Sequence, residues 1–312
     1  MKKYRIVFLL ALLCLYQTAK AQVTGEVNVL DRDMFYFHYT PPNVISDDFE
    51  YQRFSGKLSL PPIRIGQLSL FNTFGLDVHR FNYKDDSIGE SSSALDQFYN
   101  INYSLVAAYR LSDKWSINAI VSPFITSNLE EDLSSDDVGI NGNLFAEYTL
   151  MRRRGGYFKF GAGVTYVTFN GTPQLVPLTH IKARLNEQWS FVLGIPNTYV
   201  KWDINNKHSI KVLADLNDFS ANLSGPTAVS QLDQADRAVF TVVSAGAEYN
   251  YWVTPSVGIL FRVTQAVWND YELRDADDQS LHDFDADFKQ PFVSIGIKFN
   301  PIRKIQNSLR PF

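Results

Sequence analysis

One stretch, Val138–Phe169, constrains the fold of this chain more than any other. From Val138 to Leu150 the even-numbered residues are mostly apolar, and the residues between them are mostly polar or small. The alternation resumes from Phe158 to Tyr166, after a basic, glycine-containing turn at residues 152–156. A period of two predicts β-strands with one apolar face, and two such strands around a short turn predict an antiparallel hairpin.

The length of these two strands favours a membrane protein over a water-soluble sheet. Each covers about a dozen residues, whereas ordinary strands have about 5–6 and a tilted membrane-spanning strand needs about 9–11. One face carries aromatic and aliphatic side chains, and the other carries Glu147 and Lys159. This combination is typical of a transmembrane barrel strand with lipid outside and water inside.

The N-terminus has the pattern of a secretory signal peptide over residues 1–21. Three basic residues precede an apolar segment, and Ala19–Ala21 forms an A-x-A cleavage site. We therefore expect cleavage near Ala21 and a mature chain that starts at Gln22. The single cysteine, Cys14, lies in the signal, so the predicted mature chain has no disulfide or thiol chemistry.

Charge and hydropathy exclude two classes of protein. The chain has 29 basic and 33 acidic residues; removing residues 1–21 takes away four basic residues, which leaves 25 against 33 and a net charge of −8. This acidic balance argues against nucleic acid as a partner. The mature chain has no run of 18 apolar residues, so we expect no transmembrane helix. Only a closed barrel could then span a membrane, because every backbone polar group must be paired internally.

The same alternation along the chain predicts an all-β fold, an antiparallel up-and-down barrel of about 14 strands over residues 22–299. A periplasmic tail is expected at residues 300–312. Four long segments are predicted to be external loops: residues 84–97, 127–137, 218–237 and 269–287. The short turns fall on the opposite side, as bacterial barrels require. If Trp189–Ile204 were a single strand, the count would be twelve and the later loops would change sides, so loop parity favours fourteen.

The pattern is weaker at two places. Val27–Tyr39 is predicted to be the first strand, and Thr40–Asp48, which contains two prolines, a loop. Leu178–Leu185 is predicted to be the eighth strand.

Tryptophan residues occur at several of the predicted short turns. Arg110–Trp115 and Arg184–Trp189 share the pattern Arg-Leu-x-x-x-Trp, and Trp252 lies at a third turn. Rings at strand ends suit the membrane interface, because they combine an apolar body with a polar tip. We therefore interpret the three tryptophans as part of an aromatic girdle.

The region from about Met34 to Phe299 resembles a family of bacterial outer-membrane β-barrel proteins defined only as a domain of unknown function. The resemblance rests on Leu193–Trp202, on the Asn205–Lys207 turn that follows, and on the Arg-Leu-x-x-x-Trp turns. It implies the barrel fold and a location in the outer membrane of a Gram-negative-type cell. It implies no activity and no site residues.

Strand parity places a set of polar and charged residues on the face opposite the apolar one. We predict that they line the lumen, together with Lys298: Asp77, His79, Arg110, Glu147, Lys159, His180, Lys182, Arg184, Lys211, Asp215, Glu248 and Arg262. Inward charges of both signs fit either a hydrated pore or a closed network of ion pairs. Fourteen strands lie between the ~8 that side chains fill and the ~16 that leave a channel, so both interpretations stay open.

The predicted loops are rich in acidic residues. The densest run contains Asp275, Asp277, Asp278, Asp283, Asp285 and Asp287. Oxygen clusters suit divalent cations, but no twelve-residue calcium loop with a central glycine is present. We expect no resident metal or cofactor, and treat divalent cations at these loops as candidate partners beside outer-membrane lipid and the barrel-assembly machinery.

These observations lead to three functional hypotheses. The first is a passive pore or narrow channel for small solutes. The second is a closed structural or surface-interaction barrel with acidic external loops, and the third is an outer-membrane lipid hydrolase. The five scattered histidines have no metal-ligand spacing and no compact serine partner, so we expect no enzyme. The terminal aromatic read during membrane assembly is either Phe299 or Phe312.

Overall fold

The computed structural model describes residues 33–44, 49–83, 94–152, 156–169, 172–195, 197–228, 234–284, 290–301 and 303. The predicted signal peptide, the start of the predicted first strand and most of the predicted tail, including Phe312, lie outside these residues. Those expectations stay predictions.

The described residues include sixteen strands and a short 3-10 turn at Ser135–Asp137. The strands are β1 Phe35–Val44, β2 Phe49–Ser59, β3 Ile63–Ile65, β4 Leu68–Tyr83, β5 Gln97–Arg110, β6 Trp115–Ser127, β7 Val138–Met151, β8 Tyr157–Phe169, β9 Thr172–Arg184, β10 Trp189–Gly194, β11 Asn197–Asp203, β12 His208–Ala228, β13 Gln234–Trp252, β14 Val257–Arg274, β15 Ser280–Asp283 and β16 Phe292–Phe299. No described helix is both long and apolar enough to cross a membrane.

Fourteen of these strands pair in sequence order into one closed antiparallel barrel. β1 closes the ring by pairing with β16, where Tyr36 lies opposite Lys298, and β14 pairs with both β13 and β16. The short strands β3 and β15 pair with β4 and β14 beside the ring. The predicted fold class is therefore confirmed. Trp189 lies opposite Trp202 in the β10–β11 hairpin, which confirms fourteen strands rather than twelve.

The connections separate the barrel into two ends. We call one the turn end; it carries the short connections between β5 and β6, β7 and β8, β9 and β10, β11 and β12, and β13 and β14, together with the start of β1 and the end of β16. We call the other the loop end; it carries the connections around residues 84–96, 128–137, 229–233 and 275–291. All four predicted long loops thus lie at one end.

Two of those loops are shorter than predicted. The predicted loop 218–237 is mostly strand, because β12 and β13 have 21 and 19 residues. β14 and β15 likewise occupy much of the predicted loop 269–287. These strands are longer than the about 9–11 residues that a bilayer requires. Their far ends carry polar residues, which hide the alternation of apolar and polar residues there. Asp218, for example, is buried, and Thr241 donates to its carboxylate at 2.5 Å.

Prolines caused two further errors in strand boundaries. β1 continues through most of the predicted Thr40–Asp48 loop, and its pairing with β2 shifts register between Thr40 and Asn43, where the two prolines lie. A bulge tolerates residues that cannot donate to the ladder. β9 begins at Thr172, six residues before the predicted Leu178, and contains two prolines in that extension.

The outward face of the barrel is a belt of apolar side chains. Leu144, Val212, Phe261 and Ile297 are each about half or more exposed, at 54%, 61%, 48% and 50%. A soluble monomer rarely exposes so large an apolar surface, whereas a lipid-facing belt requires it.

The predicted tryptophan girdle is only partly right. Trp115, Trp189 and Trp202 are exposed at the turn end, and the rings of Trp189 and Trp202 stack with centroids 5.7 Å apart. Trp252 is only 8% exposed. It shares the inward parity of Glu248, four residues before it, and so points into the lumen.

Candidate functional site: the barrel lumen

Side chains from opposite walls meet inside the barrel. The guanidinium of Arg53 in β2 donates from Nη1 to Oδ1 of Asn217 in β12 at 2.7 Å. Four strands, β1, β16, β14 and β13, separate β2 from β12 along the shorter way round the ring, so this hydrogen bond crosses the lumen.

Nearer the loop end, buried aromatic rings fill the interior. We call this cluster the aromatic plug; its members are Phe49, Tyr51, Phe81, Phe98, Phe219, Phe240, Tyr271, Phe284 and Phe292. Every ring is at most 7% exposed. Apolar residues of β12 and β13, among them Ala221 and Leu223, pack around the rings.

The plug joins strands that do not pair with each other. Phe81 in β4 lies 4.9 Å from Tyr271 in β14 and 5.4 Å from Phe240 in β13, measured between ring centroids. Phe81 also contacts Phe219 in β12 at 6.2 Å, and Tyr51 in β2 lies 5.2 Å from Phe240. Because these contacts join β2 and β4 to β12, β13 and β14, the plug fills the interior between those strands.

A polar cluster holds β12 against the opposite wall beside the plug. We call it the loop latch: Ser127, Asn128, Asp137, Asn222 and Ser224. Asn222 forms a parallel bridge with Ser127 at the end of β6. Asn128 Oδ1 accepts hydrogen bonds from the backbone N–H and the hydroxyl of Ser224 at 3.0 and 2.6 Å. Asn222 Nδ2 donates to Asp137 Oδ1 at 3.2 Å.

Asp137 is the acidic member of the loop latch and lies, buried, in the 3-10 turn of the β6–β7 connection. Burial raises the pKa of its carboxyl, but hydrogen bonds from Ser134, Ser127 and Asn222 outweigh burial and hold the pKa below its ordinary value. The Ser134 backbone N–H donates to Asp137 Oδ2 at 2.7 Å. Asp137 is therefore the charged acceptor that joins the β6–β7 connection to β12.

A charged network lies on the inner wall formed by the neighbouring strands β12, β13, β14 and β16. Glu248 in β13, whose side chain is 1% exposed, accepts from Arg262 Nη2 at 2.6 Å. Lys211 and Lys298 each approach Glu248 Oε1 at 3.5 Å. Arg262 also donates from Nη1 to Asp215 Oδ2 at 3.2 Å. One buried carboxylate thus faces three cations, of which Arg262 is shared with a second carboxylate.

Two smaller groups of charges lie elsewhere on the inner wall. Glu147 pairs with Lys159 at 2.7 Å and with His180 Nε2 at 3.2 Å. Gly161 leaves the space that the His180 ring occupies, because a Cβ at this position would collide with that ring.

The second group centres on Asp77, which pairs with Arg53 Nη2 at 2.7 Å. His79 Nδ1 lies 2.9 Å from the Tyr51 hydroxyl, and the His79 ring packs on Phe219 with centroids 4.3 Å apart. This group therefore lies directly against the aromatic plug.

The structure brings most of the predicted lumen residues together. Lys211, Asp215, Glu248, Arg262 and Lys298 share one network, Glu147, Lys159 and His180 a second, and Asp77 and His79 a third. Lys182 and Arg184 line a cavity at the turn end. Arg110 is exposed at the end of β5 and is not part of these groups. That these residues line a hydrated pore stays a prediction.

Arg53 and the aromatic plug were not among the predicted lumen residues. The signal for both was present, since Tyr51, Arg53 and Ser55 alternate in β2 and bury inward. Phe81 shares the parity of Asp77 and His79 in β4. A prediction that assigns only polar residues to the inward face does not include apolar residues of the same parity.

The cavity at the turn end lies between the charged network and the mouth of the barrel. We call it the turn-end chamber. Its volume is about 90 Å³, well above the roughly 10–15 Å³ that a cavity needs to hold a water. Its charged lining consists of Lys182, Arg184, Lys201, Lys211, Lys298 and Arg303 against Asp33 and Asp203.

The densest acidic run is partly outside the described residues, which exclude Asp285 and Asp287. Asp278 pairs with Arg274 at 3.0 Å and with Arg237 at 3.4 Å. Within the described part of the chain, no group of three or more His, Cys, Asp or Glu side chains is placed to hold a metal. Binding of divalent cations by these loops stays a prediction, as does the absence of enzymatic activity.

Comparison with known families identifies the chain. Residues 51–300, which are 250 of its 312 residues, match the model of a domain of unknown function, DUF6268. The chain belongs to the DUF6268 family. This confirms the resemblance drawn from the sequence, and the DUF6268 match extends from β2 to the residue after β16. A search of curated proteins found no match.

Solved structures with a similar fold are outer-membrane barrels. Outer membrane phospholipase A from Escherichia coli is 9% identical with a TM-score of 0.37, over 92% of this chain and 97% of that chain. A mutant porin from Rh. blastica is 8% identical with a TM-score of 0.31, over 85% and 97%. These likenesses concern the barrel fold alone.

Proposed function

We propose that this DUF6268 protein is an integral outer-membrane barrel whose lumen is closed, with acidic loops outside the cell and a basic chamber open to the periplasm. The outward apolar belt and the closed ring of fourteen strands support membrane insertion. Short turns face the periplasm in bacterial barrels, so the turn end is the periplasmic end. This is the closed-barrel alternative from the sequence analysis.

The observation that carries the proposal is the aromatic plug. A passive pore needs a continuous path of water, and a ring of apolar side chains in a narrow lumen excludes water. Here the rings of β4 and β2 touch those of β12, β13 and β14, and Arg53 crosses to Asn217 at the neighbouring level. Both features favour a closed barrel over a passive pore.

The test is single-channel conductance of the refolded mature chain in planar bilayers. We expect no discrete openings from the wild type. A Phe81→Ala/Phe240→Ala variant removes two central rings of the plug, and we expect openings that scale with salt concentration.

The matched control is Phe74→Ala/Phe261→Ala, which removes two outward-facing rings, each 48% exposed. It should stay closed like the wild type. Regular, salt-dependent openings of the wild-type protein would overturn the proposal and restore the passive pore.

A further inference from the structure

We propose that the turn-end chamber is a binding site for a soluble anion that carries one or more phosphate groups. The inference does not depend on closure of the lumen. It rests on the charge of the chamber, on the way its cations are held, and on a buried hydroxyl that has no partner.

The chamber has a strong excess of positive charge. Six cations and two carboxylates line it. Glu248 lies directly behind Lys211 and Lys298 and pairs with both. Even with Glu248 included, six cations face three carboxylates in a site walled by protein, where charges are screened less than at a free surface. In a mature chain that is acidic overall, this concentration of cations favours an anionic ligand.

Several of these cations are held in place before any ligand arrives. Lys211 Nζ lies 4.8 Å from the centroid of the Tyr199 ring while it pairs with Glu248. Lys201 pairs with Asp203 at 3.3 Å. Fixed donors lose little conformational entropy when they bind an anion, which strengthens binding.

Arg303 lies at the outer edge of the chamber, and its guanidinium is also fixed by contacts within the protein. Its guanidinium carbon lies 4.1 Å from the centroid of the inward-facing Trp252 ring, and Nη2 donates to the Asn206 carbonyl at 2.5 Å. Stacking on an aromatic face leaves the other N–H groups of a guanidinium directed sideways, where they can bind oxyanions. This contact also explains why Trp252 is buried rather than part of the girdle.

Neutral groups of the lining support the assignment. Ser209 is 2% exposed and lines the chamber, and among the described residues its hydroxyl has no hydrogen-bond partner. A buried hydroxyl without a partner is uncommon and costs free energy. A phosphate oxygen in the chamber would accept its hydrogen. The neighbouring Asn250 Oδ1 also has no partner in the described structure and could accept from a ligand hydroxyl.

Phosphate chemistry is shared by soluble phosphate compounds and by lipid headgroups. The chamber lies inside the ring of strands and is lined by turn-end residues such as Asn205 and Asn300, so its access is from water and not from the lipid belt. We therefore assign the ligand to the soluble class.

The experiment is isothermal titration of inorganic pyrophosphate into the refolded mature chain in a neutral detergent at low salt. We expect saturable binding that weakens as sodium chloride is raised. The variant Lys182→Gln/Arg184→Gln should bind about tenfold or more weakly, because charge-assisted hydrogen bonds are lost. The control Lys114→Gln/Lys207→Gln removes two exposed turn-end cations outside the chamber lining and should bind like the wild type.

A second variant, Ser209→Ala, keeps every charge and should weaken binding by a smaller factor. Heat-modifiability on gels verifies that each variant is folded. Absence of saturable binding to the wild type, or equal losses in the chamber and control variants, would overturn the proposal.

Two vesicle preparations separate the two sources of phosphate. If pyrophosphate binds equally in phosphatidylcholine vesicles and in vesicles that also contain phosphatidylglycerol, the soluble assignment stands. If the anionic lipid abolishes binding, a headgroup occupies the chamber and the soluble assignment is wrong. A conducting wild-type barrel would end the closed-lumen proposal but would leave this binding test unaffected.

Discussion

The aromatic plug and the turn-end chamber are built on the same strands and differ completely in chemistry. β12 lines both: Ser209 and Lys211 face the chamber, and Phe219, Ala221 and Leu223 face the plug. All five have the same parity along the strand. The inward face of a barrel strand is therefore not always polar. Its polarity changes along the barrel axis, from the turn end to the loop end.

The aromatic plug and the turn-end chamber also differ in the interactions that maintain their structure. Rings in the plug contact rings from other walls, so they pack against one another as side chains in a protein core do. In the chamber the side chains carry mostly like charge, which opposes collapse and keeps water in the site. The charged network around Glu248 lies between them.

The largest effect is expected from a change inside the plug. Phe81→Ala removes a ring that is 3% exposed and touches rings on β12, β13 and β14. We expect the free energy of unfolding to fall by about 3–5 kcal/mol, because a cavity remains in a packed region. Urea unfolding in detergent micelles measures this loss.

The comparison residue for Phe81 is Phe261 on the lipid-facing side. We expect Phe261→Ala to lower the free energy of unfolding by no more than about 1.5–3 kcal/mol. Lipid or detergent fills the space left by the ring, so no cavity forms. Equal losses for the two variants would contradict the view that the plug is a packed core inside the barrel.

The second-largest effect is expected at Glu248, in the charged network between the aromatic plug and the turn-end chamber. Glu248→Gln keeps the volume but removes the buried charge that faces Lys211, Arg262 and Lys298. We expect a loss of about 3 kcal/mol in the free energy of unfolding, because buried cations lose their partner. Glu187→Gln, at an exposed turn, should change stability by less than about 0.5 kcal/mol. If the two variants were equally stable, the network would be solvated rather than buried.

Much of the fold could be predicted because the outward face obeys a simple rule. Lipid requires apolar residues at every second position, so β7 and β8 were predictable from their alternation, and loop parity divided Trp189–Ile204 into β10 and β11. The far ends of β12, β13 and β14 were missed for the same reason. In those extensions polar residues such as Asp218 and Thr241 occupy the outward parity, so the alternation disappears and only pairing with a neighbouring strand reveals the extension.

The lumen was harder to predict. Lipid sets the polarity of the outward face, whereas no single surrounding sets the polarity of the inward side chains. Parity indicated that Glu248, Lys211 and Arg262 share a face, but it could not show that they meet. The plug depends on contacts between residues more than a hundred positions apart, such as Phe81 and Tyr271. Trp252 was placed in the girdle because turn position alone does not give side-chain direction.

The smallest effect concerns the loop latch and its dependence on pH. The folded-state pKa of Asp137 is below its ordinary value, so the ionised carboxylate stabilises the latch above the ordinary aspartate pKa of about 3.9. That stabilisation is lost as pH falls below about 4 and through the folded-state pKa. We expect amide hydrogen-exchange protection of residues 222–228, corrected for intrinsic rates, to fall in this window by about 1 kcal/mol.

Asp137→Asn should lower the protection of the same amides at neutral pH and remove its dependence on pH below 4. Asp136→Asn is the matched control, because Asp136 is the exposed neighbour in the same 3-10 turn and contributes its backbone N–H, not its carboxylate, to the turn's hydrogen bonds. It should behave like the wild type. Protection that stays constant with pH in the wild type would mean that ring packing alone, and not the latch, holds the far end of β12 over the lumen.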